Sequence, residues 1–231
     1  MNGMRKISLI IIIFCLILAS QIYSKGMYAS IQVEKAFWDF GNVPFDYNLV
    51  HIYQVKNVGH GDLIISRVAS NCDCTTARVA DTLIPPGGST RLRIDFRTTD
   101  YYGINTREVS IHSNDPREPV YVLEYSSDIG TIPKIFRAEP HALFFLPPEK
   151  SKKIELINDS DVEIEFKLLP EIDSVFTIDK LTGSIEPKSR IDILVTPKTD
   201  LNPGTYFSSF RIDFKANINI ITTIPVKIVR Y

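Results

Sequence analysis

One pattern limits the folds open to this chain: its strand-like runs and turn residues recur at a constant offset of 101 positions. Asn57 and Asn158 each close an apolar run, Ile84 and Ile185 precede turn prolines at Pro86 and Pro187, and Gly103 answers Gly204. Within the runs, Tyr53, Val55, Leu63 and Ile65 map onto Ile154, Leu156, Ile164 and Phe166. Leu92, Ile94, Val109 and Ile111 map onto Ile193, Val195, Phe210 and Ile212. A repeat of about 100 residues has the size of one immunoglobulin-like sandwich. The expectation is therefore two tandem domains, residues 30–130 and 131–231, joined near Ile129–Arg137, where Gly130 and Pro133 interrupt the pattern.

Both copies read as all-β. Thr90, Leu92, Ile94 and Phe96 alternate with Arg91, Arg93 and Asp95, the signature of a strand with one face in the core and one in water. Leu49 to Lys56 and Thr106 to Ser113 alternate in the same way. Ala36 to Val43 is an aromatic strand, with Phe37, Trp38 and Phe40 expected in the core. Pro85-Pro86-Gly87-Gly88 and Ser113-Asn114-Asp115-Pro116 read as turns, and no stretch past the N-terminus has helical periodicity. The fold class expected is all-β: two tandem immunoglobulin-like β-sandwich domains after an N-terminal signal peptide.

That signal peptide occupies residues 1–24. Arg5 and Lys6 form a basic start, Ile7 to Ala19 is almost wholly apolar, and small residues follow at Ala19, Ser20 and Ser24. The apolar run is short for a membrane span. Cys15 lies inside it behind the bulky Phe14, unsuited to lipid attachment. Loss of Arg5 and Lys6 takes the formal net charge from -1 to -3. The mature chain is expected to be periplasmic or secreted, where disulfides persist. A near-neutral chain without a basic patch excludes a nucleic-acid partner, and no membrane insertion is expected after cleavage.

A second set of motifs is more specific. Phe40-Gly41-Asn42-Val43, Asn57-Val58-Gly59, Ser70-Asn71-Cys72-Asp73-Cys74-Thr75-Thr76, Ile84-Pro85-Pro86-Gly87, Gly103 and Ser113-Asn114-Asp115-Pro116 follow one another in order. Over about residues 36–128 the chain resembles the bacterial family called domain of unknown function 1573. Those domains are similar to the immunoglobulin-like domains of the major sperm protein and cilia-associated type. The resemblance implies a sandwich fold and an exported location, and it brings no activity. Asp73 stands where the family often has glycine, and the second copy lacks the cysteine motif.

Cys72 and Cys74 are thus the candidate site, a redox or disulfide pair. Their counterparts 101 positions on are Asp173 and Val175, so the scaffold does not require them. On an extended strand the two Cα atoms would stand two rises, or about 6.6 Å, apart, at the upper edge of disulfide geometry. Three readings stay open: a local structural disulfide, thiol–disulfide exchange, or copper or zinc binding by two thiolates. Exchange lacks an evident cation, Arg67 and Arg78 being the nearest in sequence. A closed zinc site needs further ligands, and His51, His60, His112 and His141 have no motif spacing.

No nucleophile elbow, phosphate-binding glycine loop or metalloprotease motif is present, and Asn158-Asp159-Ser160 reads as a turn rather than a glycan acceptor. The chain is expected to be no enzyme and to take no cofactor. The reading is a protein-interaction or scaffold module of the bacterial envelope with protein partners, against the alternative of a thiol redox or copper/zinc-handling protein centred on Cys72 and Cys74.

Overall fold

The structure, a computed structural model, describes residues 27–99 and 101–231; the expected signal peptide lies outside the described residues. These residues form eighteen β-strands and no helix. The first nine are β1 (Ile31–Val33), β2 (Phe37–Val43), β3 (Asn48–Asn57), β4 (Leu63–Ser70), β5 (Thr75–Val79), β6 (Leu83–Ile84), β7 (Ser89–Arg97), β8 (Gly103–Ser113) and β9 (Val120–Ile129). The remainder are β10 (Phe136–Glu139), β11 (Leu143–Phe145), β12 (Lys152–Asn158), β13 (Ile164–Pro170), β14 (Phe176–Ile178), β15 (Thr182–Ile185), β16 (Ser189–Pro197), β17 (Gly204–Lys215) and β18 (Asn219–Arg230). No helix among the described residues is long and apolar enough to cross a membrane.

Period-2 alternation becomes packing directly. In β7 the side chains of Thr90, Leu92, Ile94 and Phe96 are buried, while the residues between them are exposed or half-buried. One hydrophobic core gathers residues between Ala29 and Ile129, centred on Phe40, Phe96 and Tyr125. A second gathers residues between Phe136 and Ile228. β1-β3-β7-β5 and β10-β12-β16-β14 are equivalent four-stranded sheets, one over each core. The third sheet runs through both halves in the order β15-β13-β17-β18-β2-β9-β8-β4-β6, with β11 parallel to β18 at its side.

The recurring asparagines hold the same turn in each half. Asn57 is 1% exposed; its amide donates to the carbonyls of Gly61 and Ile84, and its Oδ1 accepts from the Gly59 amide. Asn158, fully buried, donates to the carbonyls of Val162, Ile185 and Glu186, and accepts from the Ser160 amide. Strand end, turn and the following edge strand are tied by one side chain, which satisfies backbone groups that would otherwise be buried unpaired. This is why asparagine, and not merely a polar residue, recurs.

A simple string of two sandwiches does not anticipate how the halves meet. β2 lies between β9 and β18 and runs parallel to both. Gly41 makes the approach possible: at φ +63° it has no Cβ, and one built there would stand 2.1 Å from the Ile221 carbonyl oxygen. Thr222 and Thr223 hydroxyls donate to the carbonyls of Asn42 and Phe40 at 2.8 and 2.7 Å. Phe40 is fully buried and Trp38 half-buried, but Phe37 is 52% exposed, because a strand placed between two others turns alternate side chains to opposite faces.

A second junction packs the outer face of β3 against β17 and the segment after β13. Ser209 Oγ accepts the Val50 amide at 3.1 Å and donates to the Val50 carbonyl. Glu171 reaches in to take the Ile52 amide at 2.9 Å through Oε2 and His51 Nδ1 at 3.1 Å through Oε1. The imidazole stacks on Trp38, ring centroids 3.7 Å apart, and the Arg211 guanidinium lies over the same indole at 4.9 Å.

Candidate functional site at the cysteine turn

The chain leaves the large sheet at Ser70 and enters the first four-stranded sheet at Thr75, so residues 71–74 must cross the edge of the sandwich. They do so as a turn. The Thr75 amide donates to the Cys72 carbonyl at 3.1 Å, and Cys72 N–H to Ser70 Oγ at 3.2 Å. Asn71 binds β8 twice, its amide to the Glu108 carbonyl and its Oδ1 to the Glu108 amide.

Cys72 and Cys74 are joined by a disulfide with a Cα–Cα separation of 5.1 Å. The extended-strand geometry used for the spacing does not hold: the turn shortens the separation into the usual disulfide range. In this state neither sulfur is a thiolate, so the pair offers no soft anionic metal ligand.

The two sulfurs have different surroundings. Cys74 is 7% exposed, and its Sγ lies 3.6 Å from the Thr75 hydroxyl. That hydroxyl is bonded to the Tyr125 phenol, whose pKa burial pushes up to about 12 although the bond from Thr75 pulls it back. Tyr53 nearby is raised further, first by burial and then by the charges of Tyr125 and Glu171. Cys72 is half-buried; its Sγ faces the Cys74 amide at 3.1 Å and the Tyr101 hydroxyl at 3.6 Å. Arg107 covers the Tyr101 ring at 4.7 Å and donates to the Thr106 carbonyl and Asn105 Oδ1.

Tyr101 and Arg107 are missed by sequence reasoning. They sit 29 and 35 positions beyond Cys72, and only the antiparallel pairing of β8 with β4, which sets Val109 opposite Ser70, brings that segment back beneath the turn. The histidines are not assembled with the cysteines. His51 is buried against Glu171, His60 meets the Tyr28 ring edge-on, His112 lies 3.4 Å from Ser110, and His141 is in the loop between β10 and β11. Among the described residues no group of three or more His, Cys, Asp or Glu side chains is placed to hold a metal ion. Arg67 and Arg78 are both exposed, and neither forms a contact with the sulfurs among the described residues.

The turn also opens a backbone edge. Among the described residues β5 ends its sheet and pairs only with β7. The Arg97 amide donates to the Cys74 carbonyl and the Ala80 amide to the Arg91 carbonyl, both at 2.9 Å, so the even positions between them face β7. The N–H and C=O groups of Ala77 and Val79 therefore point outward. Beside this edge lies a cleft of about 520 Å³ between the halves, walled by Thr76, Arg78, Arg93 and Asp95 on one side and Val175 and Tyr206 on the other. Arg93 is bidentate on Asp95 and donates to the Phe207 carbonyl at 2.8 Å. Arg78, directly opposite Arg93, makes no ion pair among the described residues.

Motif order, disulfide turn and sandwich now stand together. Residues 31–127 match DUF1573, a protein family of unknown function. The DUF1573 segment spans β1 to nearly the end of β9, in agreement with the resemblance carried by the motifs. No curated protein matches the chain by sequence. Among solved structures, SSP-19, an MSP-domain protein-like family member of Caenorhabditis elegans, is 18% identical, covering 40% of this chain and 98% of its own, with TM-score 0.34. A protein of unknown function from Porphyromonas gingivalis is 14% identical over 87% of this chain and 99% of its own, TM-score 0.36. The CupB2 chaperone of Pseudomonas aeruginosa is 10% identical over 84% and 98%, TM-score 0.33. These likenesses concern the β-sandwich architecture alone.

Proposed function

We propose that the mature chain is an exported protein-interaction module of the bacterial envelope, built of two sandwich domains, that holds an extended partner segment along the free edge of β5. The observation that carries this reading is the outward row of backbone groups at Ala77 and Val79, with no strand paired to it among the described residues. An added strand takes its affinity from those groups and its specificity from pockets for alternate side chains. The cleft beside β5 supplies the pocket, and Arg78 supplies the charge: lying opposite another arginine, it is stabilised by an acidic side chain presented from the added strand. Export is supported by the basic-then-apolar start of the sequence and by a disulfide of the kind that persists outside the cytoplasm.

The test is in-cell photo-crosslinking. A photoreactive side chain at position 78 should give an adduct with a defined envelope protein, and one at the exposed position Glu165 on β13 should not. Ala77→Pro removes one outward donor at an edge position where proline is tolerated, and should abolish the adduct while the protein stays folded. An adduct that survives the proline, or equal labelling from position 165, refutes strand addition at β5.

A further inference from the structure

The two sulfurs at the head of β5 are not equivalent, and the difference assigns them chemical roles. Cys72 is the more accessible, and it is also the one aimed at by two donors, the Cys74 amide at 3.1 Å and the Tyr101 hydroxyl at 3.6 Å. Donors of this kind stabilise a thiolate at Cys72 once the bond is opened. The Arg107 guanidinium over the Tyr101 ring adds positive potential behind the phenol and fixes its position. Cys74 faces the interior, where burial disfavours its anion.

We propose that Cys72–Cys74 is a thiol–disulfide exchange site, that Cys72 carries the mixed disulfide, and that its substrate is a pair of thiols in the segment held on β5. The substrate, and only the substrate, rests on the strand-addition reading given above. A partner thiolate attacks Cys72 Sγ; the partner–Cys72 bond forms, the Cys72–Cys74 bond breaks, and the electron pair stays on Cys74, which takes a proton. The second partner thiol, deprotonated, attacks its neighbour's sulfur in the mixed disulfide and releases Cys72 as a thiolate held by the Cys74 amide and Tyr101. Two partner thiols have then become one disulfide and two electrons have passed to this chain, with one of the two protons on Cys74 and the other released to solvent. Stabilising the reduced form makes a disulfide a stronger oxidant, which sets this direction. The position of the pair agrees: Cys74 is hydrogen-bonded through its carbonyl to β7 and is followed at once by the open edge, so an added strand passes beside the bond.

Three measurements test this. With single thiols left by Cys74→Ser and Cys72→Ser, iodoacetamide at pH 6.5 should alkylate Cys72 at least about tenfold faster than Cys74, the effect of one pKa unit or more. Tyr101→Phe in the Cys74→Ser background should slow Cys72 about threefold and leave the fold intact, since only the hydroxyl is removed. The oxidised wild-type protein should oxidise dithiothreitol and an extended synthetic peptide bearing two cysteines and one aspartate, and Ala77→Pro should slow the peptide several-fold and dithiothreitol not at all. Equal alkylation rates, or a disulfide that resists dithiothreitol while the protein is folded, overturn the exchange site and leave the crosslinking result standing. Fast exchange with both thiols that ignores the proline upholds the exchange site and overturns strand addition.

Discussion

Removing Glu171 should separate the two halves energetically while leaving both cores intact. Glu171 is 7% exposed, and its carboxylate accepts from the Ile52 amide at 2.9 Å and meets His51 Nδ1 at 3.1 Å. Glu171→Ala leaves two buried polar groups without partners. Each unsatisfied group costs about 1–3 kcal/mol, so a loss of about 3 kcal/mol is expected once water entering the gap recovers part of it. Glu171→Gln keeps an acceptor for the Ile52 amide and a polar amide beside His51 Nδ1, and should cost about 1 kcal/mol. Asp173→Ala, which removes only the exposed pair with Arg91 at 3.3 Å, should change stability by less than about 0.5 kcal/mol. Trp38 is the single tryptophan and stacks on His51, so its fluorescence reports this junction, and calorimetry reports the cores. In Glu171→Ala the fluorescence transition in urea should come before the main unfolding. A loss below about 0.5 kcal/mol, equal to that of Asp173→Ala, would refute the claim that the buried carboxyl clamps the halves.

The paired asparagines make a matched forecast: Asn57→Ala and Asn158→Ala should each cost about 2–4 kcal/mol, since each leaves several buried backbone carbonyls and an amide unpaired, as read by chemical unfolding. Asp115 gives a pH dependence. Burial would raise its carboxyl, but the amides of Ile31, Arg117 and Glu118 and the Arg117 charge outweigh it and hold the pKa below the ordinary range. Its stabilisation is therefore complete above the unfolded-state value, near 4, and is lost as pH falls through the folded value; Asp115→Asn should flatten the acid limb of a stability–pH curve and speed amide exchange at Ile31. Reducing the disulfide should cost at most about 1.5 kcal/mol in thermal unfolding, because the closed loop is so short. A much larger loss would mark the bond as principally structural.

Much of each half was legible because burial in a strand leaves a two-residue imprint. Leu92, Ile94 and Phe96 reveal the β7 core face with no tertiary knowledge, and the repeat offset puts Asn57 and Asn158 at equivalent strand ends. What stayed hidden depends on neighbours distant in sequence. In β2 the adjacent Phe37 and Trp38 are both aromatic, so apolar character does not tell which face is inward, and Phe37 reads as core although it is exposed. His51 looks like any inward residue of an alternating strand, and only the placement of Glu171 makes it part of a junction. At the site, the cysteines themselves were visible, but an extended-strand estimate stretched them apart because nothing in Asn71-Cys72-Asp73-Cys74 states that the chain is changing sheets there. Tyr101 and Arg107 carry no local signal at all, their relation to Cys72 being created by the pairing of β4 with β8.

The parallel course of β2 and β18 also has a mechanical consequence. Tension applied between the chain entering β2 and the chain leaving β18 acts along the strands in opposite senses, so the rungs between them are sheared together instead of being peeled one at a time. The Thr222 and Thr223 hydroxyl bonds and the β2–β9 ladder share that force. Tension applied between those two points is carried by this seam, with the cysteine turn and the β5 edge lying outside the path of the force.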